Sequence, residues 1–119
     1  MVTERERKKI LESLITFSEP VDQLRAKVRA IPWDAEEPLV AMLNVHAIDA
    51  IKRVLSHEIE PAELSSWADL IEMREDIDIE GGQDGPLRQF VYETATPEFY
   101  PLTPQFLTLW ESELIDSAS

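Results

Sequence analysis

The chain has no cysteine. That excludes disulfides and thiolate metal sites, and it fits a reducing compartment such as the cytoplasm. It has only three glycines, Gly81, Gly82 and Gly85, all in one stretch. No glycine-rich phosphate cradle and no G-x-S-x-G nucleophile elbow is therefore encoded. No apolar run approaches the roughly 20 residues of a membrane span. Met1-Val2-Thr3-Glu4-Arg5 has no apolar run after its charges, so a secretory leader is not expected. Positive charge is scarce after residue 30. Lys52, Arg53, Arg74 and Arg88 stand against nineteen Asp and Glu, a formal −15 over residues 31–119. A body this acidic repels phosphate, so nucleic acid is not an expected ligand.

What is present is enough for one core. The 119 residues are 44% hydrophobic, which fits a single domain over 1–119. Residues 1–30 carry seven Lys and Arg against five Asp and Glu. Arg5, Arg7, Lys8 and Lys9 interleave with Glu4, Glu6 and Glu12, which reads as a solvated helix face that pairs internally or with the acidic body. Residues 1–17 are expected to be a peripheral basic helix.

Apolar positions recur with helical period in six stretches. Ile10, Leu11, Leu14 and Ile15 mark the first, ending near Phe17. Val21, Leu24, Val28 and Ile31 mark a second, with Ser18 as its expected cap and Pro32 as its stop. Asn44 is the expected cap of a third helix over 45–56. Pro61 opens a fourth, with Leu64, Trp67, Ala68 and Ile71 inward, ending near Arg74. Leu87, Phe90, Val91 and Thr94 mark a fifth. Thr103-Pro104 starts a sixth, with Phe106, Leu107, Trp110 and Leu114 inward. The expected fold is all-α, a compact bundle of five to six short helices. Two places stay open: residues 32–38 read as a turn, and 39–43 as either strand or helix start.

Asp76-Ile77-Asp78-Ile79-Glu80-Gly81 begins like a calcium-binding EF-hand loop. Its twelfth position is Leu87 instead of a bidentate glutamate, and the alternating isoleucines fit a short extended segment with carboxylates outward. No metal or cofactor is expected. His46 and His57 lack the i, i+4 spacing of a helical metal pair. Trp67 and Trp110 match apolar stripes; Trp33, between two prolines, is the tryptophan expected to be partly exposed.

The segment Glu63-Leu64-Ser65-Ser66-Trp67-Ala68-Asp69-Leu70-Ile71-Glu72-Met73-Arg74-Glu75-Asp76-Ile77 resembles small, acidic, helical, uncharacterised bacterial proteins with a W-A-x-x-[IL]-E-x-R-E-D-[IL] pattern. A second run follows in them, here Leu87 to Pro97. Some of these proteins look like immunity proteins of toxin systems, which act by binding a toxin domain. The resemblance implies a helical fold and a protein partner, and carries over no functional residue. In the residues alone, Arg74 is expected to bridge to Glu72, Asp78 or a helix-end carbonyl.

The expected function is a non-catalytic, cytoplasmic protein-binding module, an immunity-type inhibitor whose acidic surface meets a basic protein. The candidate contact residues are Trp33, Glu72, Glu75, Asp76, Asp78, Glu80 and Asp84; no catalytic residue is expected. The alternatives are a small enzyme or metal-dependent domain built on the acidic loop 72–84, and a structural subunit or homodimer.

Overall fold

A computed structural model describes residues 2–118. Six helices are found among them: α1 (Glu4–Ile15), α2 (Val21–Val28), α3 (Asn44–Leu55), α4 (Pro61–Ile71), α5 (Pro86–Ala95) and α6 (Pro104–Ala118). Of the described residues 58% are helical, well above the usual third. The helical bundle expected from periodicity is therefore present. The open stretch 39–43 resolves as a strand, β1 (Val40–Met42), parallel to β2 (Ile77–Ile79). The two strands are joined through α3 and α4, as parallel pairing requires a long crossover.

Strands of three residues are too short to stand alone. Burial holds these two in place: Val40, Met42, Ile77 and Ile79 all enter the core. The ladder also continues past both ends, through Leu39 N–H to the Asp76 carbonyl (2.8 Å) and Glu80 N–H to the Met42 carbonyl (3.0 Å). Residues 77–79 alternate inward, outward, inward, as the isoleucine pattern predicts.

α1 is not peripheral. Leu11 and Leu14 are fully buried and Ile15 nearly so. The helix closes with Ser18 N–H returning to the Ser13 carbonyl, which occupies the residue expected to cap α2. Pro20 takes that N-cap position and supplies no side-chain bond. Phe17 adopts a left-handed φ of +50°, a conformation that disfavours side chains. Its buried ring compensates by stacking on Trp67 (centroids 5.2 Å apart) under the Arg53 guanidinium (5.0 Å). Trp67 is itself fully buried, and its indole N–H donates to the Leu14 carbonyl at 2.6 Å.

Asn44 is the first residue of α3 and not its cap. Its side chain turns inward and donates to the Leu114 carbonyl and to Ser117 Oγ, fixing the end of α6. The cap is assembled from elsewhere. His46 Nδ1 accepts the Leu43 N–H (2.9 Å), and the Glu80 carboxylate accepts the Asn44 N–H (2.8 Å). An imidazole can accept at Nδ1 only while that nitrogen is unprotonated. Burial lowers the His46 pKa from its ordinary 6.5, against the opposing pull of Asp49 and Glu80.

Two outcomes are expected. Trp67→Ala should lose about 3–5 kcal/mol in urea unfolding, since a stacked, hydrogen-bonded ring leaves a cavity behind. For His46, the stabilisation supplied by the neutral ring is complete above pH 6.5. It is lost as the pH falls from there through the lowered folded value. Unfolding curves from pH 8 to pH 5 should therefore fall less steeply for His46→Gln than for the native chain.

Candidate functional site

The predicted contact residues do not form one surface. Asp76 is fully buried, which corrects its placement among the outward carboxylates. Alternation along β2 turns it away from the isoleucines, but two arginines cover it there. Arg74 Nε and Nη2 donate to its two oxygens (2.9 and 3.0 Å). Arg7, from the other end of the chain, donates to Oδ2 from Nε and Nη2 (3.2 and 2.9 Å). Arg74 therefore bridges neither Glu72 nor Asp78. A carboxylate out of water requires this much compensation, and fork-shaped guanidinium groups supply it with fixed geometry.

The same two guanidiniums organise the connector. Arg74 Nη2 and Arg7 Nη2 both donate to the Pro32 carbonyl (2.9 and 3.1 Å). Arg7 also donates to the Asp34 carbonyl (2.8 Å). The Trp33 carbonyl between them accepts the Glu75 N–H (2.9 Å). Three successive backbone carbonyls are thus tied down, and the Trp33 side chain stands out of this clamp, 58% exposed.

Beside Trp33 lies a shallow hollow of about 330 Å³ lined by Val28, Asp69, Leu70, Glu72, Met73 and the Arg74 stem. Met73 is 73% exposed and has a φ of +72°. An unbranched apolar side chain in the left-handed region costs roughly 1–2 kcal/mol. Here, unlike at Phe17, no burial offsets the strain. Among the described residues lining the hollow, Arg74 is the one cation, and it is turned toward Asp76. Burial raises the Glu72 pKa from its ordinary 4.5, Asp69 adds to the rise, and Arg88 partly offsets it. On its other side the connector borders a cleft of about 690 Å³ whose walls include Glu4, Glu36 and Glu37.

The remaining candidates lie elsewhere. Glu75 is exposed at the clamp. Asp78 is exposed, paired in register with Ala41. Glu80 is half-buried and caps α3, so its role is structural. Asp84 is exposed in the glycine turn. That turn is closed: a Cβ at Gly85 would meet the Gly81 carbonyl oxygen at 2.7 Å. Among the described residues, no three carboxylate or imidazole groups converge within reach of a metal ion. None of the described helices is long and apolar enough to cross a membrane.

Sequence reasoning missed Met73, Leu70 and Asp69. A methionine just past a helix end, flanked by Glu72 and Arg74, carries no periodic signal; only the backbone angle marks it. A second apolar stripe, Phe106, Leu109 and Trp110 with Glu93 and Glu113, lies along α6. It has neither a clamped backbone nor a strained residue. No family model, no curated protein and no solved structure matches this chain.

Replacing Asp76 with asparagine should cost about 3–5 kcal/mol of stability, because two guanidiniums lose their counter-charge in a covered site. The same variant should lose hydrogen-exchange protection at the Glu75 amide, which the clamp holds against Trp33.

Proposed function

We propose that the protein is a non-catalytic binding module that docks a basic protein through Trp33, Leu70 and Met73, with Asp69, Glu72 and Glu75 as an acidic rim. The observation that carries this reading is an exposed tryptophan on a backbone whose three neighbouring carbonyls are all held. Ordering an anchor before binding reduces the entropy lost on association. Tryptophan is also the residue type most enriched among the side chains that dominate interface energetics. The left-handed Met73, in the turn that the Arg74 N–H closes on the Ile71 carbonyl (3.2 Å), supports the reading by turning an apolar side chain out beside Trp33.

Charge supports a basic partner. Of the four cations after residue 30, Arg74 is buried, Arg53 and Arg88 are half-buried, and only Lys52 is exposed. The acidic body therefore shows even less positive charge than its composition states. Such a field speeds encounter with a positive surface and orients it. An immunity-type inhibitor acting in the cytoplasm, where a basic toxin domain would be the target, is the specific form we propose.

Three variants test the docking surface against a captured basic partner. Trp33→Ala should weaken binding by 2 kcal/mol or more, about 30-fold, without changing the unfolding midpoint. Met73→Gly should weaken binding while raising stability by about 1 kcal/mol, because glycine removes the left-handed strain. The double amide Glu72→Gln, Glu75→Gln should slow association at 0.01 M salt and converge on the native rate at 0.15 M, as the Debye length falls from about 30 to about 8 Å. Unchanged binding in all three would remove this surface from the function.

A further inference from the structure

We infer that the group seated on Trp33 is an arginine side chain of the partner, its guanidinium lying over the indole face and its N–H groups directed at the Asp69–Glu72 rim. The inference rests on the docking reading above and names the chemistry of its central contact. Three observations lead to it. The ring is exposed and its backbone fixed, so an aromatic face is offered with the backbone ordering cost already met. Asp69 and Glu72 are among the residues lining the same hollow, and its own cation, Arg74, is paired with Asp76. The hollow therefore offers an aromatic ring and apolar surface with two acidic residues at its border. Leu70 and Met73 leave apolar surface beside the ring for the carbon stem of a long side chain or for an apolar neighbour.

The molecule already contains this arrangement once, complete. Arg53 lies 5.0 Å over the Phe17 ring, pairs through Nε with Glu58, and donates through Nη1 to the Phe17 carbonyl. Aromatic face, carboxylate and cation are all supplied internally there. At Trp33 the ring and the acidic residues are present with no cation stacked on the ring: Arg74 is turned to Asp76, and Arg88, which acts on Glu72, lies outside the lining. Arginine suits the site better than lysine. Its planar, weakly hydrated group stacks on an indole while its N–H fork reaches a carboxylate. A second copy of this chain is the disfavoured source, because each copy carries −13.

The test uses the full chain and three short blocked peptides, Leu-Ala-X-Ala-Leu with X as arginine, lysine or citrulline, the neutral isostere of arginine. Binding is read from the Trp33 indole N–H and the Met73 methyl in NMR titrations. The arginine peptide should shift both resonances. It should bind about fivefold more tightly than the lysine peptide and more tightly still than the citrulline peptide. In Trp33→Leu, which keeps apolar area and removes the ring face, the arginine preference over lysine should vanish. Leu109→Ser, on the α6 stripe, should bind as the native chain does.

Equal binding of the arginine and citrulline peptides would overturn the guanidinium and leave an apolar docking site. An arginine preference that persists in Trp33→Leu would assign recognition to the carboxylates alone and overturn the stacking. Failure of all three peptides to move Trp33 would also overturn the inference. The docking reading fails separately, when Trp33→Ala leaves the captured partner's binding unchanged. Sedimentation that finds a dimer, lost in Trp33→Leu, would place the chain's own exposed arginines on the ring and overturn a foreign partner.

Discussion

Burying a carboxylate is expensive, and this fold does so at Asp76 by drawing arginines from two distant places onto one side chain. Arg74 comes from two residues away and Arg7 from 69 residues away. The pairing does more than neutralise a charge. Because each guanidinium has N–H groups left over, both reach the Pro32 carbonyl and one reaches the Asp34 carbonyl. The ion cluster therefore ties α1, the 32–38 connector and the start of β2 into one joint. Remove it, and the connector keeps only the Glu75–Trp33 backbone bond and the β1 ladder. The presentation of Trp33 is thus a consequence of compensating Asp76.

The same cluster shapes the electrostatics outside it. Two of the chain's eleven cations are withdrawn from the surface to serve one of its twenty-four acids. The residue left over is a net positive charge inside a negative body, which favours the cluster and leaves the exterior more acidic than composition implies. Around Trp33 this matters most. Asp69 and Glu72 are among the residues lining the hollow beside it, and Glu4, Glu36 and Glu37 are among those lining the cleft, beside Arg7.

Much of the architecture was legible because helices repeat. Six periodic stretches became six helices, and Trp33 and Trp67 fell on the expected sides of the surface. Boundaries were less legible where caps come from far away. Asn44 has the chemistry of a local cap, yet its amide is claimed by Leu114 and Ser117 on α6, and Glu80 caps α3 in its place. Asp76 failed for the same reason. Strand alternation alone turns it outward, and the cover it receives from Arg7 is a tertiary fact with no local signature. Short strands are the general case of this limit: three residues of Val40–Met42 contain no period to detect. Of the proposed docking surface, Trp33, Glu72 and Glu75 were visible in the sequence, while Asp69, Leu70 and Met73 were gathered beside them only by the fold.

The span between Arg7 and Asp76 also has a consequence in time. A ribosome adds about 5–20 residues each second, so roughly 3–14 s separate the emergence of the two partners. The elements that pack on α1, namely α2, β1 and α4, all emerge within that interval, so its buried Leu11, Leu14 and Ile15 gain cover before Arg7 gains its partner. The connector's anchor on Asp76 cannot be made before the interval ends. The joint between α1, the connector and β2 therefore closes only once β2 has been synthesised. Until then Arg7, in the part of the chain richest in positive charge, is without the carboxylate that later holds it.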